Sequence, residues 1–185
     1  ISIGRRLQDP LSELVKIDPQ HIGVGMYQHD MNQRQMKESL DDVVESCVNF
    51  VGVDLNTASA SLLKYVSGFS QLVAKRVVEW REANGPFANR KQLMEIAGVG
   101  KSTFTQAAGF IKISNGAESL DQTWIHPESY NVANLVLKNL SLSSDDVQAT
   151  DERKSALRRK LADVSVKQLA AKLDVGQPTL KDIID

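Results

Sequence analysis

The segment Leu93-Met94-Glu95-Ile96-Ala97, Gly98-Val99-Gly100, Lys101-Ser102 has an earlier copy in the same chain. Thirty residues upstream, Ser61-Leu62-Leu63-Lys64-Tyr65-Val66 runs into Ser67-Gly68-Phe69-Ser70 and then Leu72-Val73-Ala74-Lys75-Arg76-Val77-Val78. Gly68 aligns with Gly98, Phe69 with Val99 and Ser70 with Gly100. A fixed internal period marks a duplicated supersecondary unit. Each copy reads as helix, tight glycine turn, helix. Two glycines one residue apart let the backbone turn with no Cβ in the way. The first turn departs from the second at Ser70, where the backbone is expected to be less free.

The chemistry of such a turn is anion binding. The amides after the glycines open the next helix and lack an intrahelical partner. A helix start of this kind attracts negative charge, and Lys101 adds a full positive charge beside it. The expected ligand is a nucleic-acid phosphate, a contact that carries no sequence information. The candidate residues are Gly98, Gly100, Lys101 and Ser102 in the second turn, and Gly68 and Ser70 in the first, expected to be the weaker. Lys75 and Arg76 on the helix after the first turn complete the set. Gly100-Lys101-Ser102 also ends like a nucleotide-binding P-loop, but that motif needs a glycine five residues before Gly100, and Glu95 stands there. Both copies resemble helix-hairpin-helix motifs. The pair resembles the double helix-hairpin-helix domain of DNA-repair and DNA-uptake proteins.

Charge is distributed to match. The whole chain carries a formal net charge of −1. Residues 57–113 hold eight basic and three acidic side chains, a net of +5, whereas residues 1–56 hold five basic and nine acidic, a net of −4. An electrostatic footprint on the duplicated unit is what a phosphate-binding role requires. A net of +5 is modest, so weak, salt-sensitive binding is expected.

Helical periodicity governs the remainder, and the fold class expected is all-α. Asp9 and Pro10 start a helix as N-cap and first helical residue, with Leu11, Leu14 and Val15 on its apolar face. Met36, Leu40, Val43, Val44, Cys47 and Val48 step at helical spacing, and Gly52 ends that helix. Cys47, the one cysteine, is expected in the core, and a single cysteine excludes a disulfide framework or a cysteine-rich metal site. Phe110 to Ile113 is expected as a short extended stretch. His126 before Pro127 is expected to cap a helix carrying Tyr130, Ala133, Leu137 and Leu140. Ser165 to Leu173, the turn Asp174 to Gln177, and Pro178 to Ile184 resemble a helix-turn-helix. The second of those helices offers Gln177, Thr179 and Lys181, but also Asp182 and Asp185, which repel phosphate. A structural helix pair is therefore favoured there over a base reader. His21, His29 and His126 are far apart, with no metal-ligand spacing, so neither metal nor cofactor is expected. No apolar run reaches membrane-spanning length, and an intracellular protein, nuclear or cytoplasmic, is expected. The start at Ile1 in a helical pattern suggests a piece of a longer chain.

Several stretches in order resemble the Tex family of transcription accessory proteins. They are Arg5-Arg6-Leu7-Gln8-Asp9-Pro10-Leu11, Gly23-Val24-Gly25-Met26-Tyr27-Gln28-His29-Asp30, Val51-Gly52-Val53-Asp54-Leu55-Asn56, Gly85-Pro86-Phe87-Ala88-Asn89-Arg90 and His126-Pro127-Glu128-Ser129-Tyr130. The resemblance covers about residues 1–140. It implies a nuclease-like domain before this region and an OB-fold RNA-binding domain after it. Residues 1–52 would then lead out of the first, and residues 53–116 would form the tandem helix-hairpin-helix domain. Residues 117–140 would be a helical extension packed on it, 141–150 a flexible linker, and 151–185 a helical segment, basic at Lys154, Arg158, Arg159 and Lys160, leading to the second. The implied function is non-catalytic, sequence-nonspecific binding of an RNA or DNA backbone, with transcription or RNA-processing proteins as further partners and no membrane.

Two other functions fit parts of the sequence. Helix-hairpin-helix pairs also pack against proteins, so an interaction scaffold is one alternative. Base-excision glycosylases carry a catalytic Asp about twenty residues after such a hairpin, and Asp121 lies near that offset from Gly100. The four-cysteine cluster of many such enzymes is absent.

Overall fold

A computed structural model describes residues 2–23, 25–147, 157, 159–161 and 164–184. Lys154, Arg158 and Asp185, singled out above, lie outside the described residues, as do 148–150 of the expected linker. The chain divides into two compact units, Ile1–Ile113 and Ser114–Asp185.

The first unit opens with α1 (Ser2–Gln8), α2 (Pro10–Leu14) and α3 (Gln33–Val51). The Asp9 carboxylate accepts the Ser12 amide at 3.1 Å, and Pro10 fills the first helical position, as the sequence predicts. Asn32 caps α3 by accepting the amides of Arg34 and Gln35, and Gly52 ends it at φ +71°. The apolar stripe of α3 is covered only in part. Val48 is fully buried, but Val43 is 58% exposed and Cys47 is exposed, which corrects the expectation of a core cysteine. Val43 and Cys47 border an open apolar groove with Leu11, Leu14, Ile17 and Ile22.

The duplicated region follows. In the first copy α4 (Ala60–Leu63) precedes the turn and α5 (Gln71–Asn84) follows it. In the second copy the 3-10 helix Arg90–Glu95 precedes the turn and α6 (Lys101–Ala107) follows it. The 30-residue register holds in detail. Ser59 caps α4 by accepting the Leu62 amide, and Asn89, thirty residues on, caps its helix by accepting the Gln92 amide. Leu63 and Leu93, Val66 and Ile96, Phe69 and Val99, and Val77 and Ala107 are all buried in one shared core. Burying these apolar side chains together supplies the main driving force for folding the unit. Two-residue strands close the ends of the repeat. β1 (Val53–Asp54) pairs in parallel with β2 (Ile111–Lys112), Val53 opposite Ile111, within the stretch expected to be extended. Trp80 stacks on the buried Phe87 with ring centroids 4.2 Å apart. Arg81 donates to the carbonyl oxygens of Leu55 and Ala58.

The second unit contains α7 (Tyr130–Asn139), α8 (Val166–Leu173) and α9 (Gln177–Ile184). His126 Nδ1 accepts the Glu128 amide at 3.3 Å, capping the turn into α7 as expected. The apolar face of 117–140 is used within this unit. Leu120, Ala133 and Leu137 cluster with Leu142, Val147, Leu157 and Ile183, and Val136 clusters with Leu169, Ala170 and Leu180. The division after Ile113 therefore groups the expected extension with the residues that follow it. The part of the expected linker that is described, 141–147, is folded. Ser144–Val147 forms a 3-10 turn, Asp146 accepts the Ser143 amide at 2.8 Å, and Leu142 and Val147 pack inward. Two apolar side chains in the polar run are enough to hold it down. Among the described residues no helix is long and apolar enough to cross a membrane, and no group of three His, Cys, Asp or Glu is placed to hold a metal.

Candidate nucleic-acid interface

The two glycine turns have the same backbone. Gly68 sits at φ +85° and Gly98 at φ +98°, the left-handed region that strongly favours glycine. One residue later Phe69 and Val99 point inward, and their amides bond to the carbonyl oxygens of Val66 and Ile96 at 2.9 and 3.0 Å. The next residue caps the following helix. Ser70 has φ −86° and ψ 163°, and Gly100 has φ −88° and ψ 178°. These are ordinary extended values that any residue adopts. The expectation that Ser70 restricts its turn is thereby corrected: glycine is required at 68 and 98, not at 100, where an added Cβ would meet open space.

The turns differ in the state of the cap. The Ser70 hydroxyl accepts the Val73 amide at 3.2 Å, so one of the amides that open α5 is satisfied from within. Gly100 has no side chain to do this, and α6 has no side-chain cap. The amides of Lys101, Ser102 and Thr103 open α6 without an intrahelical partner, and residues 100, 101 and 102 are all exposed. Lys101 also has no counterpart in the first turn, where Gln71 stands. The second turn thus presents free donors and a cation together, and the first presents fewer donors and a hydroxyl.

Each turn is packed against the helix that follows the other. A Cβ on Gly68 would meet Gln106 Cβ at 2.9 Å and the Thr103 carbonyl oxygen at 3.3 Å, both on α6. A Cβ on Gly98 would meet Arg76 Nη1 at 3.1 Å and Val73 Cγ2 at 3.4 Å, both on α5. Thr103 and Gln106 are the thirty-residue counterparts of Val73 and Arg76. The copies embrace reciprocally, so the two turns belong to one body.

The basic side chains divide into two kinds. Lys64, Lys75, Lys91 and Lys101 are exposed. Arg76 is half-buried and donates to the Ala97 carbonyl oxygen at 2.6 Å, Arg81 is tied to backbone carbonyls, and Arg90 is 1% exposed. Burial first, and the Arg90 guanidinium second, hold the Lys112 ammonium below its ordinary pKa. The footprint counted from sequence as eight cations is therefore carried mainly by four lysines. Composition could not separate them. Which arginine turns inward is decided by packing against a carbonyl many residues away.

Asp121, the candidate for a glycosylase-type acid, is 2% exposed, and the Tyr130 hydroxyl donates to its Oδ1 at 2.5 Å. The carboxylate is engaged inside the fold rather than open to solvent. In the second unit Asp174 takes a left-handed conformation, φ +54°, followed by Val175, with Gly176 at the start of α9. This is the order Gly98, Val99, Gly100 of the second turn. The turn is bonded differently, however: the Asp174 and Val175 amides both go back to the Ala170 carbonyl oxygen, a left-handed helix cap, where the glycine turns close over three residues.

Two stretches match known families. Residues 48–112 match the helix-hairpin-helix motif, and residues 118–185 match a family described as an HHH domain. Over its whole length the chain is 49% identical to the protein YdcI of Bacillus subtilis, covering 25% of that protein. It is 47% identical over 184 residues to the transcriptional accessory protein Tex of Neisseria gonorrhoeae, covering 100% of this chain and 23% of the relative. A human relative, S1 RNA-binding domain-containing protein 1, is 38% identical over 233 aligned residues, again covering 100% of this chain and 23% of the relative. The chain spans about a quarter of the length of the curated relatives it matches.

Proposed function

We propose that this chain, a segment of the Tex family of transcription accessory proteins, is a non-catalytic module that grips a nucleic-acid backbone without reading sequence. The observation that carries this is the second turn. Its helix start is uncapped, its amides at 101–103 have no intrahelical partner, and Lys101 stands exposed beside them. An anion there gains charge-assisted hydrogen bonds from groups that no side chain satisfies. The first turn, with Gly68, Ser70 and the exposed Lys75, holds a second phosphate more weakly, and Arg76 serves the turn rather than the ligand. In the longer protein, residues 1–52 would lead out of a preceding domain and 151–185 into a following RNA-binding one. The human relative's name carries an S1 RNA-binding domain, which favours RNA among the possible ligands.

The experiment is a fluorescence titration of the chain against single- and double-stranded RNA and DNA at two salt concentrations. Two phosphate contacts predict a fall in affinity of about tenfold between about 50 and about 200 mM salt, with little dependence on sequence. Affinity that ignores salt, or no binding to any of the four, removes the proposal.

A second reading, a docking surface for protein, is favoured by one observation. Ile3, Leu7, Met26, Tyr27 and Phe50 in the first fifty residues are all more than 70% exposed. If they adjoin on the folded surface, they form the kind of apolar patch that a protein partner covers.

A further inference from the structure

We infer that Asn49, on α3, is the positioning residue of the first glycine turn, and that it sets the turn's grip on phosphate; this rests on the nucleic-acid reading above. The Asn49 carboxamide lies across the backbone that enters the turn. Its Nδ2 donates to the Tyr65 carbonyl oxygen at 3.0 Å, and its Oδ1 accepts the Ser67 amide at 3.0 Å. The second Nδ2 hydrogen goes to the Glu45 carbonyl oxygen, one helical turn back, at 2.9 Å. The side chain is thus bonded on every side, to two positions of the turn and to its own helix, across 16 and 18 residues of sequence.

Ser67 immediately precedes Gly68, and Ser70 three residues on caps α5. Fixing the Tyr65 carbonyl and the Ser67 amide fixes the approach of the chain to the left-handed glycine. A second tie runs beside it, from the Tyr65 hydroxyl to Asp41 on the same helix at 3.3 Å. The second turn is held otherwise. Its counterpart of Ser67 is Ala97, whose carbonyl oxygen is held by Arg76 from α5. One turn is therefore braced from within the repeat, and the other from α3, outside it. A site that must meet a phosphate within a fraction of an ångström depends on such support. Movement of α3 would act first on the turn that it braces.

The test is to replace Asn49 in the 185-residue chain by Ala, and in a milder variant by Asp, which keeps the Oδ1 acceptor for Ser67. Two readouts apply. Amide hydrogen exchange is expected to speed up at residues 66–70 in Asn49→Ala, with 96–100 unchanged, and to be partly restored in Asn49→Asp. In the RNA titration, Asn49→Ala is expected to raise Kd about three- to tenfold and to reduce the magnitude of the log-log salt slope by about one contact. The rise should vanish when Lys75 and Ser70 have already been replaced, and should persist in full when Lys101 has been replaced. An unchanged salt slope, or a loss that adds fully to the Lys75 and Ser70 replacements, overturns the inference. So does exchange that rises equally in both turns in both variants. Should the unsubstituted chain bind no nucleic acid, the function proposed above falls. The exchange measurement still decides whether Asn49 positions the turn.

Discussion

Arg76 donates from Nη1 to the backbone carbonyl oxygen of Ala97 at 2.6 Å, and so ties the helix after the first glycine turn to the residue just before the second glycine. An arginine beside a glycine hairpin invites a phosphate contact. Here it is a strut between the two copies, and the neighbouring Lys75 is the side chain left to solvent.

The pair can be separated by substitution. Arg76→Ala should lower stability by about 1 kcal/mol, the typical worth of one hydrogen bond, and barely alter the salt slope of binding. Lys75→Ala should leave the unfolding midpoint in place and reduce the magnitude of the slope by a little under one. Denaturant melts and salt titrations on both variants check this. The reverse pattern would make Arg76 the ligand.

The glycines are predicted to fall in a definite order. Gly68→Ala must accommodate a left-handed alanine and a contact of 2.9 Å with Gln106 Cβ, an atom next to the backbone that cannot swing away. Gly98→Ala carries the same backbone strain, but its nearest neighbour is the end of the flexible Arg76 side chain at 3.1 Å. Strain alone costs about 1–2 kcal/mol, and overpacking adds about 1–3 kcal/mol more at Gly68. Thermal unfolding of the two variants should place Gly68→Ala well below Gly98→Ala.

Much of this fold is legible in the sequence, and the limits are physical. The thirty-residue repeat, the caps at Asp9 and His126 and the stop at Gly52 follow from local backbone chemistry, which a sequence carries directly. The matched positions 73 with 103 and 76 with 106 were present in the register, but the reciprocal contact they make is a fact of packing between copies. Ser70 and Gly100 differ in residue but not in backbone: a pair of glycines in sequence does not show which of the two needs positive φ, and only the first does. Cys47 lies on an apolar stripe, and periodicity shows which face is apolar without showing whether anything covers it. The folded stretch 141–147 was masked by its serines and aspartates. Two apolar anchors, Leu142 and Val147, outweigh a polar composition.

Cys47 gives a direct check of that uncovered face. An exposed thiol should react with an aromatic disulfide reagent in the native state at a rate close to that in denaturant. Protection of many orders of magnitude would mean that the groove lined by Leu11, Leu14 and Val43 is closed in solution.

The last prediction exchanges the caps of the two turns. Ser70 and Gly100 share one backbone conformation, so each residue is tolerated at the other's position. Gly100→Ser should let the new hydroxyl accept the Thr103 amide, as Ser70 accepts that of Val73. A serine cap is favoured over glycine by a few tenths of a kcal/mol, so stability should hold or rise slightly. Binding should weaken, because the hydroxyl now occupies a donor that the phosphate would use. Ser70→Gly should do the opposite, giving a slightly less stable chain whose first turn is open and binds more tightly. Stability and affinity moving in opposite directions in both variants is not what a damaged fold produces. Affinity that instead follows stability in both, or responds to neither, would separate the glycine turns from phosphate binding and leave the exposed lysines as a diffuse charge alone.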